Sequence, residues 1–381
     1  MDQGNQSKRE GNSPEGTNSP SSDFVTAPSI SLPKGGGAIN GMGEKFAANP
    51  VTGTGSMSIP IATSPSRSNF NPQLSLSYDS GAGNSPFGLG WNLSLPAITR
   101  KTDKGLPQYL DAEESDIFIL SGAEDLVPVL IDNGAGKWER EKLPLRTVAG
   151  QKYAIQGYVP RIEGLFARIE RWTNIADQSD SFWRSITKDN LTTWYGKTAE
   201  SRIADPNDPI RIFSWLICQS YDDKGDLIAY RYKAENSDQV NLSIACEQNR
   251  TPQTRTANRY LKRIFYGNHT PYLPKLAAGS AWPAIPADDQ WLFEVVLDYG
   301  DHDKTNPLPV EPSKQWPVRN DPYSSYRAGF EVRTYRLCQR VLMFHHFPDE
   351  ADIGQNCLVR STDFSYSYDS DPSDAQNPIF S

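Results

Sequence analysis

Several groupings in this 381-residue chain bring together side chains that could do chemistry. Glu139-Arg140-Glu141 has the Glu-x-Glu spacing with which arginine-specific ADP-ribosyltransferases hold the NAD ribose and activate an acceptor. Such a site also needs an upstream arginine and a Ser-Thr-Ser strand, and the upstream sequence offers only Ser56-Met57-Ser58. The triplet is therefore read as a charged turn after Trp138. His345-His346, with Asp349 and Glu350 close behind, has metal-ligand residue types. Adjacent residues of a strand point to opposite faces, so the two imidazoles cannot easily share one ion. A strand end packed by Phe344 and Phe347 and closed by Pro348 is the simpler reading. Asp298, Asp301 and Asp303 could offer oxygens to calcium, but no glycine-centred loop ending in a bidentate Glu accompanies them. Cys218, Cys246, Cys338 and Cys357 are far apart with no C-x-x-C pair, which is neither a zinc signature nor a dense disulfide framework, so they are read as reduced, buried thiols. No Ser-His-Asp or Cys-His set has local support among four histidines, since Cys338 lies too far along one strand from His345. No catalytic, cofactor or metal residues are assigned on these grounds, and no cofactor is expected. The aromatic pairs Phe182-Trp183, Trp194-Tyr195 and Trp291 with Phe293 could stack on sugars, but within sheets such pairs belong to the core.

The elements that would have to position these residues are strands. Leu74, Leu76 and Tyr78 share one face at period two, and Trp91, Leu93 and Leu95 do the same. Between the two runs Gly81, Gly83, Gly88 and Gly90 open backbone angles that a side chain forbids, while Pro86 blocks helix. A phosphate-cradling loop would run directly into a helix N-terminus, whereas this one continues in strand alternation to Pro96. Further on, Tyr221-Asp222-Asp223-Lys224-Gly225-Asp226-Leu227 reads as a tight turn. There Asp222 can accept backbone amides, Gly225 supplies a positive φ, and Tyr221 and Leu227 pack on the sheet. Asn133-Gly134 turns Leu126–Ile131 back toward Lys137–Arg140. Arg327–Phe344 alternates for many residues, which suggests a long strand or a bulged pair.

Bulk composition agrees. Nine Trp, 17 Tyr and 15 Phe favour sheets, and 28 Gly with 29 Pro punctuate many short elements. The formal net charge of -8 provides no basic field for phosphate backbones, so nucleic acid is not an expected partner. No apolar run approaches the ~20 residues that span a bilayer, and Met1–Glu10 lacks the apolar stretch of a secretory signal. Residues 1–30 are rich in Ser, Pro, Gly and Asn and read as a disordered leader. Residues 31–381 read as one β domain with a possible internal boundary near residue 150, where longer strands begin; the end at Ile379-Phe380-Ser381 reads as a fragment of a longer chain.

The glycine-rich crossing, preceded by Leu32-Pro33-Lys34-Gly35-Gly36-Gly37, carries a family resemblance. So do Leu106-Pro107-Gln108-Tyr109, Gly196-Lys197-Thr198-Ala199, Trp291-Leu292-Phe293 with Asp298-Tyr299-Gly300, and Arg340–Glu350. In order and in kind these segments resemble the SpvB/TcB family, the N-terminal domain shared by Salmonella virulence plasmid B proteins and the B components of bacterial insecticidal toxin complexes (TcaC-like). The Tyr221–Leu227 turn also resembles the tyrosine-aspartate repeat of Rhs proteins, whose strands spiral into a closed shell, although only one well-formed copy is found.

The resemblance implies an all-β, mostly antiparallel module of meanders and hairpins, with no activity of its own. It would form part of a shell that encloses a toxic C-terminal polypeptide and helps deliver it. The implied partners are a Rhs-type C component with that polypeptide and, indirectly through a propeller not seen here, the A component. The implied location is extracellular after release from the cytoplasm without a signal peptide. An ADP-ribosyltransferase accompanies the domain in SpvB, on a separate C-terminal domain. The alternatives are a carbohydrate- or surface-binding β module, which would expose Trp and Tyr, and a domain that accompanies a transferase without activity of its own.

Overall fold

The computed structural model describes residues 45–367 apart from 50–52, 122–123, 142, 163–165, 277–278, 311 and 313. The expected leader, the Leu32–Gly37 run and the chain end lie outside these residues. The fold is all-β and antiparallel. Strands β1 (Lys45–Asn49), β2 (Thr54–Ile61) and β3 (Leu74–Asp79) pair in sequence order. Within the glycine crossing β4 (Asn84–Ser85) and β5 (Gly88–Leu89) form a two-residue ladder, and β6 (Trp91–Leu93) returns against β3. The period-two pattern is obeyed: Leu74, Leu76, Trp91 and Leu93 all enter the core.

A larger sheet follows. Its first strands are β7 (Ala97–Arg100), β8 (Phe118–Leu120) and β9 (Glu124–Pro128), after which β10 (Leu130–Asp132) and β11 (Trp138–Arg140) form a hairpin about Asn133-Gly134. Next come β12 (Arg146–Val148), β13 (Gln151–Pro160), β14 (Arg168–Asn174), β15 (Ser181–Ile186), β16 (Thr192–Tyr195), β17 (Arg202–Asp205) and β18 (Asp208–Tyr221). Hydrogen bonding runs β7-β8-β9-β13-β14-β15-β16-β18 and back to β7, so these strands close into a ring. Closure removes the unpaired edges that an open sheet would present. Strands from both sides of residue 150 share this ring.

β18 holds the ring and its extension together. Ser214 pairs with both Thr99 of β7 and Ile203 of β17, and Gln219 pairs with both Trp194 of β16 and Ala229 of the next strand. Each edge of this 14-residue strand is therefore used by two different neighbours. From its far end the sheet continues through β19 (Leu227–Ala234), β20 (Arg259–Asn268) and β21 (Trp291–Asp298). The hairpin β22 (Tyr323–Ser325) and β23 (Val332–Thr334) stands apart, and β24 (Arg340–Phe347) and β25 (Gly354–Asp363) complete the extension.

Two local expectations change. The alternating Arg327–Phe344 run is not one element: β23 and β24 belong to different sheets. Arg336, between them, is fully buried and is drawn to Glu235 and to the Asn236 and Trp316 carbonyl and amide oxygens, which takes the backbone out of the ladder. The cysteines are free, but only Cys218 and Cys338 are buried; Cys246 is exposed and Cys357 partly so.

Candidate functional site

The bore of the ring is filled. Phe118 of β8 meets Trp183 of β15 with ring centroids 5.0 Å apart and Trp215 of β18 at 5.7 Å; Tyr158 of β13 lies 4.8 Å from Trp183. Since β8 and β15 stand on opposite sides of the ring, these contacts cross it. Two arginines lie among the aromatics. Arg100, whose side chain is 0% exposed, donates to the Ile212 carbonyl, to both oxygens of Asp111 and to Asp116 at 2.6–2.9 Å. Arg171 donates to Asp111 at 2.5 Å, and both guanidiniums stack on Phe118 and Trp215. Asp116 also accepts the backbone amides of Gln108 and Tyr109. Burial pushes the Asp111 carboxyl up, but the Arg100 hydrogen bonds and the Arg171 charge outweigh it and hold it well below the usual carboxylate range. Trp215 donates its indole N–H to the Ser181 carbonyl at 2.7 Å, while that of Trp183 has no partner among the described residues. The side chains pointing into the ring thus pack on one another across it.

The other face of β14, β15 and β16 is also aromatic. Trp172, Phe182 and Trp194 pack together there under Trp282, which arrives on the connection between β20 and β21. Beside them is a cavity of about 460 Å³ bordered by Phe182, Lys197, Cys218, Arg231 and Trp282, among others. The Lys197 Nζ sits 3.3 Å from the Trp282 ring centroid and 5.2 Å from that of Trp194. Burial lowers its pKa to about 8, against weaker opposing effects of Cys218 and Asp180.

The residues singled out in the sequence fall in two places. In the glycine crossing Gly88 and Gly90 have φ of +97° and +80°, and a Cβ on Gly90 would stand 2.5 Å from the Tyr78 ring. A Cβ on Gly81 would meet Thr54 at 2.9 Å, whereas one on Gly83 would meet nothing within 4 Å. Trp91 is buried, tilted on Tyr78 at 5.2 Å, and its carbonyl accepts the Ser85 hydroxyl. In the second place, Asp222 Oδ1 accepts the amides of Lys224 and Asp226 at 3.0 and 2.9 Å. Gly225 there has φ of +92°, with Pro271 pressed against the space of its absent Cβ, and Tyr221 packs edge-on to Tyr272. The two motifs lie in different sheets and do not form one site.

The other chemical groupings are spent on structure. His345 Nε2 bonds Ser64 Oγ at 2.7 Å and His346 Nε2 bonds Glu294 at 3.1 Å, each on its own face of β24. Asp298 holds Arg340 and the Gly300 amide, Asp301 holds Lys262, and Asp303 caps the turn at Thr305. Glu139 bonds Asn133 across its hairpin, and Arg140 pairs with Glu114. Among the described residues no group of three or more His, Cys, Asp or Glu is placed to hold a metal ion, and no helix is long and apolar enough to cross a membrane.

Residues 49–347 match the family model described as SpvB, the Salmonella virulence plasmid 65kDa B protein. The chain belongs to the SpvB family. It is 38% identical over 335 residues to the mono(ADP-ribosyl)transferase SpvB of Salmonella choleraesuis (strain SC-B67), a match covering 86% of this chain and 52% of that protein. The chain thus spans about half the length of the curated relatives it matches. The solved N-terminal domain of the effector protein SpvB from Salmonella typhimurium strain LT2 superposes with a TM-score of 0.68 at 35% identity, covering 84% of this chain and 96% of that one. TcdB2-TccC3-TEV gives 0.72 at 34% over 88% of this chain and 15% of its own, and the Photorhabdus luminescens Tc holotoxin pore gives 0.71 at 34% over 91% and 16%. The expected kinship with SpvB and with toxin-complex components is therefore correct. Sequence reasoning missed the Arg100–Asp111–Arg171 cluster, the Lys197 cavity and the Ser64–His345 contact, whose members lie up to 281 residues apart.

Proposed function

We propose that this SpvB-family chain is a non-catalytic structural module of a toxin complex or virulence protein, one section of a β-sheet wall that encloses a toxic C-terminal polypeptide and helps deliver it. The observation that carries this reading is the filled ring: a bore occupied by Phe118, Trp183, Trp215 and paired arginines gives the chain a rigid, packed interior suited to a wall. Any enclosed volume is then bounded by the outside of the ring and by the sheet that leaves it through β19–β25. The partners would be a Rhs-type C component and its enclosed polypeptide, with the A component reached through a separate propeller. The protein would act outside the producing cell after leaving its cytoplasm without a classical signal peptide. Gly81, Gly88 and Gly90 with Trp91, and Tyr221, Asp222 and Gly225, serve as folding devices that let strands turn sharply and pack.

Against a carbohydrate-binding module stands the burial of tryptophan: seven of nine are buried, and only Trp138, 68% exposed, faces solvent broadly. The test is a graft of residues 49–347 in place of the corresponding segment of TcdB2, followed by size-exclusion chromatography with TccC3 and by protease protection of the C-terminal polypeptide. Assembly with protection is expected. A graft that folds but leaves the polypeptide open to protease would overturn the proposal, as would NAD hydrolysis by the isolated chain.

A further inference from the structure

The cavity beside Lys197 has a composition that wall-building does not require. Elsewhere around the ring buried arginines are matched to acceptors: Arg100 and Arg171 to Asp111, Arg184 to Glu170, Arg202 to Asp180. Lys197 and Arg231 border the cavity, and among the described residues neither side chain has a hydrogen-bond or ion-pair partner. The carboxylates nearby do not fill the gap. Asp180 is taken by Arg202 at 3.0 Å and by the Tyr153 hydroxyl at 2.6 Å, and Glu200 stands exposed at the rim. Two cations with no direct partner thus line a recess of ligand size, beside an Asp180 already bound by Arg202 and Tyr153 and a Glu200 at its rim. The rest of the lining mixes the apolar Trp282, Phe182, Pro283 and Ile285 with polar groups such as Tyr153, Gln219 and Tyr230.

The geometry points to a binding site for a small organic anion, a carboxylate or phosphate carried on a flat aromatic body, with Lys197 and Arg231 holding the charge and the apolar lining packing on the ring. A cavity of about 460 Å³ suits one or two fused rings plus the acid group. The ammonium now lies against the Trp282 face, so an incoming anion gains a cation whose desolvation is already largely complete. Titration supplies an independent signature. Lys197 is charged below about pH 8, so affinity should fall as pH rises through that value. The groups around it are Cys218, Tyr153 and Tyr232, whose pKa values burial raises, with Asp180, Glu200, Arg202 and Arg231.

Isothermal titration calorimetry of the 381-residue chain with 2-naphthoate, 2-naphthyl phosphate, inorganic phosphate and neutral 2-naphthalenemethanol tests this, the first two arms distinguishing carboxylate from phosphate. Binding of at least one aromatic anion is expected, with the neutral alcohol and inorganic phosphate at least tenfold weaker. Lys197→Met and Arg231→Met should each weaken it at least tenfold with unchanged circular dichroism. Lys197→Arg should keep the affinity and lose the pH dependence near 8. Equal binding of the neutral alcohol, undiminished binding by the two methionine variants, or no binding of either aromatic anion at millimolar concentration would overturn the assignment.

Discussion

Replacing Arg100 by methionine is the sharpest test of the packed ring. The substitution keeps an apolar stem of similar length but deletes a guanidinium that makes four hydrogen bonds, three of them to carboxylates, with its side chain wholly out of water. Asp116 keeps its two backbone amides and Asp111 keeps Arg171, so neither acid is stripped bare, yet both lose their main counter-charge. Breaking a buried pair from one side costs about 3–5 kcal/mol, a large share of the ~5–15 kcal/mol that holds a typical protein together. The neighbouring Lys101→Met is the built-in control. Its ammonium pairs with Asp125 near the surface, where solvent screening leaves such a pair little net worth. Urea unfolding followed by tryptophan fluorescence reads both, since Trp183 and Trp215 line the bore, and the Arg100→Met midpoint should drop by roughly 1 M or more. Acid unfolding adds a second reading. Because the folded state holds the Asp111 carboxyl below its ordinary value of 3.8, its contribution is present above that pH and is lost as pH falls through the depressed value. The variant should show less of this acid-labile component. If Arg100→Met cost no more than Lys101→Met, the reasoning that the bore is held by its ion cluster would be wrong.

Gly90→Val places a β-branched side chain at φ +80° and against the Tyr78 ring; a loss of about 2–4 kcal/mol is expected from strain and displacement together, seen as reduced soluble yield and an earlier thermal transition. Gly88→Val, at φ +97°, should behave alike, whereas Gly83→Ala, with open space at its Cβ, should be nearly silent in the same assay. Asp222→Ala removes two turn hydrogen bonds and should cost about 1–2 kcal/mol in denaturant unfolding. Lys197 binds a proton less readily folded than unfolded, so stability should rise with pH between about 8 and 10.5, and Lys197→Met should flatten that rise in thermal scans.

Much of the architecture could be read from alternation. Leu74–Tyr78, Trp91–Leu93, the Asn133-Gly134 hairpin and the turn at Asp222 are each decided by residues within a few positions of one another, and local rules suffice for them. Ring closure is different. It depends on β16 meeting β18 and β18 meeting β7, pairings set by twist and by the fit of Phe118 to Trp183 and Trp215, which no window of sequence contains. The same limit hid the Lys197 cavity. Gly196-Lys197-Thr198-Ala199 drew notice only as a family likeness, because Trp282 and Arg231, which give the lysine its surroundings, come from distant segments. The alternation of Arg327–Phe344 misled for a related reason: a buried arginine mimics the polar phase of a half-exposed strand.

The doubly shared strand β18 has a mechanical corollary. Residues 214–215 and 219–221 are clamped from both flanks, so neither the cylinder nor the trailing blade can peel away while the other stays intact. Amide protons there should exchange with solvent last of all. A tug applied through the blade would be transmitted into the cylinder as shear along many parallel bonds, the loading direction that antiparallel ribbons resist best.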